Sequence, residues 1–448
     1  MIFCLFWFLL PNVWSSELPL SSSCSPSAFA PFNKNEPVGR VTFLPELGCV
    51  SDLQLAGLLP LSPNTVNSPK LFYWFIGSQA HPSQDPIILW LNGGPGASSF
   101  YGFFAENGPY SINTEGKLSP RPSTWSKQAN YLILDQPSGV GLSYQKGGSH
   151  LADPSEALDQ LYSALKVFFN RYPELLPRPL YLAGQSYAGR TLPELAQRII
   201  AGKNSVPLDL KGILVGDGWV NPLIQQSANA DYAYSHGLID LNVYKKIKRL
   251  YQDCKLEIKK QKPASKKANQ VCGQMQELIR KSSGIDTTYI SSADKTDYHK
   301  IEQYLNRADV RKALHVDSDI GDFKLFSDSV ATDLEVGIQD SVAELYPKLI
   351  AQGIRILIYN GLEDGKDCNF MGTDLWLSAL NWPGKNLLAK APTCIWSHPK
   401  NEVAGYARSA AGLTQVKIRN AGHSAPADQP NNVQNMLHRF IFEKDFCE

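Results

Sequence analysis

The sequence predicts an α/β fold, with a mostly parallel central sheet, helices on both faces and a helical insertion that sits over the sheet as a cap. Three observations predict it. Short apolar runs of strand length alternate with stretches whose apolar residues recur at helical spacing, the rhythm of a parallel sheet covered on both sides. The runs are almost wholly apolar rather than alternating, as buried parallel strands are. One interval, 226–335, breaks the rhythm and is rich in charge, after which strand and helix resume. The division that follows is a first core part over 46–225, a helical cap over 226–335 and a second core part over 336–448.

Taken in order, Met1–Ser16 is apolar through Ile2-Phe3-Cys4-Leu5-Phe6-Trp7-Phe8-Leu9-Leu10 and ends in small residues, the pattern of a cleaved signal peptide. Residues 17–45, rich in Ser, Pro and Asn, read as a loose N-terminal segment and a possible propeptide. Leu71–Ile76 and Pro86–Leu91 are strand-like. The second run empties into Asn92-Gly93-Gly94-Pro95-Gly96-Ala97-Ser98-Ser99, a glycine-dense loop whose exposed N–H groups suit an oxyanion hole; it lacks the Gly-Lys-Ser/Thr ending of a phosphate loop. Asn130–Asp135 is a third strand. Within Ser155–Phe169, Leu158, Leu161, Tyr162, Leu165, Phe168 and Phe169 form one apolar helical face.

Pro179–Ala183 then runs into Gly184-Gln185-Ser186-Tyr187-Ala188-Gly189, followed by a helix from Thr191 to Ile200 with Pro193 tolerated in its first turn. Strand, small residue, Ser, small residue, helix is the nucleophile elbow of α/β-hydrolases. Small neighbours are needed because the serine backbone is held in a strained turn. Gly212–Gly216 is the next strand. From Tyr244 to Lys281, twelve Lys or Arg stand against Asp253, Glu257 and Glu277, a surface helical hairpin containing Cys254 and Cys272. Ser341–Gln352 reads as a helix and Ile354–Tyr359 as a strand, with Asp364 just beyond it. Val416–Arg419 is the last strand and leads to His423. Ser186, Asp364 and His423 therefore follow strand ends in the chain order of α/β-hydrolase triads.

Composition narrows the function. At 43% hydrophobic residues the 448-residue chain can bury a large core, and a net charge of +1 excludes nucleic acid as a main partner. Seven cysteines remain after the expected cleavage at the N-terminus, which in an oxidising compartment predicts three bridges and one free thiol. No further stretch is long and apolar enough for a stable membrane anchor. A location in the secretory pathway follows, either secreted or in a vacuolar or lysosomal lumen; no cofactor or metal is expected.

Trp90-Leu91-Asn92-Gly93-Gly94-Pro95-Gly96, Glu106-Asn107-Gly108-Pro109, Asp135-Gln136-Pro137, the Ser186 elbow and Ala421-Gly422-His423 together resemble the serine carboxypeptidases, over about Leu71 to Phe442. The resemblance implies release of C-terminal amino acids from peptides or proteins through an acyl-enzyme. Ser186 would be the nucleophile, His423 the base and Asp364 its orienting acid, with the N–H groups of Gly94 and Tyr187 as oxyanion hole. Asn92, Gly93, Glu106 and Gln185 match positions that hold the substrate carboxylate. Cys368 and Ser424 match the leaving-residue subsite, Cys368 being the free thiol and Cys254–Cys272 the expected bridge. Four substitutions set this chain apart: Ala97 for a disulfide cysteine, Gln185 for Glu, Arg190 for His and Ser424 for an apolar residue. One extra residue separates Asp364 from Cys368-Asn369, which leaves Glu363 and Asp367 as alternative acids. An acyltransferase and a non-catalytic binding homologue are the other readings of the same scaffold.

Overall fold

The computed structural model describes residues 37–447, apart from 63–64, 66, 149–150, 152, 293–297 and 400. The expected signal peptide and most of the segment after it lie outside the described residues. Ten strands form one sheet: β1 (Gln54–Pro60), β2 (Lys70–Ile76), β3 (Ile87–Leu91), β4 (Asn130–Leu134), β5 (Pro179–Gln185), β6 (Asp209–Gly216), β7 (Arg355–Gly361), β8 (Cys394–Ser397), β9 (Val403–Ala410) and β10 (Leu413–Ile418). They lie in the order β8-β9-β10-β7-β6-β5-β3-β4-β2-β1. The six from β10 to β4 are parallel, and the flanking pairs at each edge are antiparallel. This is the mostly parallel sheet of an α/β-hydrolase.

Why the central runs read as unbroken apolar sequence is visible in their two-sided burial. Leu71, Tyr73, Phe75, Ile87, Leu89 and Leu91 pack against α1 (Pro154–Arg171) and α2 (Ala188–Ala201). The alternate residues Phe72, Trp74, Ile88 and Trp90 face the other way, against Phe100, Phe103, Phe104 and the C-terminal helix. Helix α1 is started by Asp153, whose carboxylate accepts from the N–H groups of Ser155 and Glu156, with Pro154 in the position that needs no donor.

Several boundaries differ from the sequence reading. Helix α2 begins at Ala188 directly behind the serine, so Pro193 lies inside it rather than in its first turn. The carbonyl of Gly189, four residues back, is left without a helical donor and instead accepts from Tyr346 Oη at 2.7 Å. The helix expected over Ser341–Gln352 is shorter, Leu345–Ile350. Strands β1, β8 and β9 were not anticipated. The β9–β10 turn explains one of them: Ala411 and Gly412 both have positive φ, +50° and +85°, a primed hairpin turn built without the usual Asn-Gly pair.

Among the described residues between β6 and β7, the regular elements are helices. Helices α3 (Leu241–Lys260) and α4 (Lys266–Ser283) form the charged hairpin, and Cys254–Cys272 staples them. Their buried seam is Ile247, Ile258, Ala268, Met275 and Ile279. Cys394–Cys447 ties the edge strand β8 to the C-terminus, Cys49 is also disulfide-bonded, and Cys368 is free and buried. Among the described residues no helix is long and apolar enough to cross a membrane.

Candidate active site

The C-terminal ends of β3, β5, β6 and β7 converge on Ser186. Its φ is +59°, a left-handed conformation that a side chain rarely adopts, and it is held by Ser186 N donating to Gly216 O (3.0 Å) and Trp219 N donating to Ser186 O (2.8 Å). Close neighbours of this turn must be glycine. A Cβ on Gly93 would stand 2.6 Å from Tyr187 N and 2.7 Å from Ser186 Cβ, and one on Gly184 would stand 2.3 Å from Leu91 O. Nearby glycines thus let the loop after β3 close onto the elbow. Gly94, itself at φ +105°, and Tyr187 share a cavity of about 130 Å³ with Ser186. Trp219, Ile338 and Cys368 are among the other residues of its wall.

His423 follows β10, and its Nδ1 is 2.9 Å from Asp364 Oδ2, with the histidine 7% exposed and the aspartate fully buried. The other oxygen, Asp364 Oδ1, accepts from Lys366 N at 2.9 Å, which fixes the carboxylate in plane. Of the three acids in this loop, only Asp364 meets the imidazole. Asp367 Oδ1 accepts from Asn229 Nδ2 at 3.1 Å instead, and Glu363 is bound through its backbone N–H to Ala421 O. Asp364 lies three residues past the end of β7, and Gly365, Lys366 and Asp367 separate it from Cys368.

One residue of this cluster escaped the sequence reading. Asp217, just past β6, is buried with φ +41°, and its Oδ1 accepts from Asn360 Nδ2 and from Gly361 N, both at 3.1 Å. Burial, then the charge and neighbouring carboxyl of Asp364, pushes its pKa well above the carboxylate range. A protonated carboxyl there can donate toward Asp364, where an ionised one would repel it. A carboxylate in the turn after a strand was the available signal. Asp428 is a second such residue: it accepts from Gly422 N at 2.8 Å, anchoring the loop of His423, and burial raises its pKa to about 6.

A second polar group lies beside the elbow on the β3 side. Glu106 is fully buried, and burial raises its pKa to about 8 despite the bond from Gln185 Nε2 to its Oε1 at 2.7 Å. Glu106 Oε2 and Gln185 Oε1 are buried without a partner. Asn92 Oδ1 accepts from Trp90 Nε1 (2.8 Å) and Gly102 N (2.9 Å), so its Nδ2 is the end left for a ligand. Ser424 Oγ meets Tyr101 Oη at 2.8 Å, and Tyr101 Oη meets Tyr298 Oη at 3.3 Å. Cys368 lines the cavity of Ser186, Gly94 and Tyr187, and Ser424 does not. Burial and the charges of Asp364 and Asp367 push the Cys368 thiol up, so it stays protonated. Among the described residues no cluster of His, Cys, Asp and Glu has the form of a metal site.

Comparison with known proteins identifies the family. The serine carboxypeptidase family matches residues 46–443. Serine carboxypeptidase-like 48 of Arabidopsis thaliana is 33% identical over 405 residues, covering 85% of this chain and 76% of its own. The venom serine carboxypeptidase of Apis mellifera is 32% identical, covering 86% and 84%. The crystal structure of the prohormone-processing carboxypeptidase KEX1 from Saccharomyces cerevisiae superposes with a TM-score of 0.77 at 25% identity, over 88% of this chain and 92% of that one. The chain belongs to the serine carboxypeptidase family.

Proposed function

We propose that Ser186, His423 and Asp364 form the catalytic triad of a carboxypeptidase that cleaves the terminal peptide bond of a free-acid substrate. The observation that carries this reading is the buried Nδ1–Asp364 bond, which leaves Nε2 as the basic nitrogen of His423. In the first step Ser186 Oγ bonds to the scissile carbonyl carbon while Nε2 takes the hydroxyl proton. The oxyanion is met by the N–H groups of Gly94 and Tyr187, the latter at the start of α2 where the helix dipole also favours negative charge. The C–N bond then breaks as the imidazolium returns the proton to the leaving amine. Water repeats the sequence on the ester and frees Ser186.

The terminal carboxylate of the substrate would be held by Asn92 Nδ2, Gly93 N and the neutral carboxyl of Glu106. With a pKa of about 8, Glu106 keeps its proton through acidic and neutral pH and donates from Oε2. Gln185 supplies a donor to Glu106 and cannot ionise. Leaving residues would lie toward Tyr101 and Ser424. Disulfides and the apolar N-terminal sixteen residues support a lumenal or secreted location.

The test is a fluorophosphonate probe with peptide-ladder analysis. The wild type should be labelled at Ser186 and should shorten free-acid peptides from the C-terminus, and Ser186→Ala should do neither. Label without shortening, with acyl transfer to an added amine or alcohol, would turn the reading to an acyltransferase. No label would sink both.

A further inference from the structure

We propose that the outer face of α3 docks the protein on an anionic lipid surface. Residues 241–267 hold ten of the chain's 43 Lys and Arg but two of its 42 acids, so this segment carries +8 and all the rest together −7. Positions 241, 245, 249, 252, 256 and 259 recur at helical spacing and so share one side of α3, and all six are exposed. They are Leu241, Lys245, Arg249, Gln252, Leu256 and Lys259. The opposite side, through Ile247, Cys254 and Ile258, is buried against α4.

Two features separate this face from an ordinary solvated one. The first is the scarcity of counter-charges: Asp253, the other acid of α3 beside Glu257, makes no ion pair among the described residues. Glu257 is engaged by Lys260, Lys248 by Asp231, and on α4 Glu277 takes both Arg280 and Lys281. Among the described residues Lys245, Lys246, Arg249, Lys255, Lys259 and Lys262 have no ion pair. Lys245 and Arg249, and Lys255 and Lys259, are like charges one turn apart, which disfavours the helix they stand on. The Cys254–Cys272 staple keeps that self-repelling helix in place. The second feature is apolar: Leu256 is 63% exposed and Leu241 49%, both on the charged side. Exposed Tyr234, its ring 5.3 Å from that of Tyr244, flanks the N-terminal end.

A row of cations with leucines among them, along a helix of about 30 Å, matches a flat surface that is negative on the outside and apolar just beneath. Acidic phospholipid headgroups supply the charges, and the leucines reach the acyl boundary. A soluble polyanion would use the lysines and leave Leu256 idle. The other cap helix, α4, places Asn269 and Gly273 on the cavity of Ser186, so docking through α3 would hold the active site at a fixed height above the lipid.

The experiment is flotation of the full chain with phosphatidylcholine vesicles containing about one-third phosphatidylglycerol, at about 0.02 M and about 0.5 M salt, where screening differs strongly. Binding should need phosphatidylglycerol and be lost at the higher salt. Lys245→Gln/Lys246→Gln/Arg249→Gln/Lys259→Gln should weaken partitioning about a hundredfold or more. Leu256→Ser should weaken it about threefold to tenfold, with retention on a polyphosphate column unchanged. The control Lys117→Gln/Lys203→Gln/Lys211→Gln/Lys385→Gln removes as many exposed charges elsewhere and should bind as the wild type does. Equal flotation with pure phosphatidylcholine, none with either vesicle, or equal loss in the control would overturn the proposal. So would full binding by Leu256→Ser, which would point to a soluble polyanion. All these side chains are exposed, and probe labelling at Ser186 checks that each variant is folded.

Discussion

The imidazole of His423 and the carboxylate of Asp364 meet at 2.9 Å across a junction that 59 residues of chain separate, with neither group open to bulk water. In that setting a change of one oxygen reverses the hydrogen-bond roles. Asp364→Asn offers an amide donor or a poorer acceptor and destabilises the tautomer with its proton on Nδ1. We expect kcat to fall about 10⁴-fold, and Asp367→Asn, whose acid faces Asn229, to fall less than about tenfold. Turnover of a blocked dipeptide by the two variants checks this; the opposite ranking would move the triad acid to Asp367.

Asp217 acts on that pair from behind. If its proton is donated to Asp364, then Asp217→Asn keeps a donor of the same shape, and Asp217→Ala removes it together with the acceptor for Asn360 and Gly361. The amide variant should keep near-normal kcat at acidic pH. The alanine variant should lose about tenfold to a hundredfold, the cost of a buried hydrogen bond left unmade. Equal losses in both would show that Asp217 must ionise. The acidic limb of the pH–rate profile should shift in the alanine variant, which a merely structural role would not produce.

Binding of a free-acid peptide should persist to neutral pH and weaken as Glu106 ionises near pH 8, since the charged form repels the substrate carboxylate. Gln185→Glu adds a second carboxyl beside the first, so one of the two must ionise at lower pH. KM near pH 4.5 should be little changed and KM near pH 7 clearly raised, and a peptide with an amidated C-terminus should feel much less of either. The same ratio of the two KM values in both proteins would remove Gln185 from the carboxylate site.

Stability should rise on acidification. Glu106, at about 8, and Asp135, at about 6, are both raised by burial, so the folded chain binds protons that the unfolded chain releases near pH 4. Their contribution is present below the unfolded values and lost as pH rises through about 6 and then about 8. The melting temperature should therefore be higher at pH 5 than at pH 8, and Glu106→Gln should remove much of the difference. A flat profile in the wild type would count against buried, protonated carboxyls.

Ser424 Oγ engages Tyr101 Oη at 2.8 Å, where an apolar side chain would present carbon instead. Ser424→Met should raise kcat/KM for peptides ending in Leu or Phe by about tenfold, the worth of a modest apolar contact. Rates on peptides ending in Ser should change little. A uniform change across both classes would place Ser424 outside the leaving-residue subsite.

How much of this was legible beforehand follows from the range of the interactions. The central strands, α1 and the elbow are specified locally: unbroken apolar runs need two covered faces, Pro154 and Asp153 start a helix, and the glycines around Ser186 admit a backbone that no other residue tolerates. The Ser, Asp and His of the site could be read because each follows a strand directly, and topology brings strand ends together. Strands β1, β8 and β9, at the two margins of the sheet, were hidden because β1 carries Gly57 and Pro60, β8 and β9 mix polar and apolar residues, and the turn at Ala411-Gly412 lacks the common residues. Which of Glu363, Asp364 and Asp367 meets His423 was decided only by tertiary structure, because three acids within five residues differ by where a loop points them. The raised pKa values of Glu106 and Asp217 were likewise invisible in the sequence. They arise from burial, and burial is a property of what the rest of the chain packs around a side chain rather than of the residue itself.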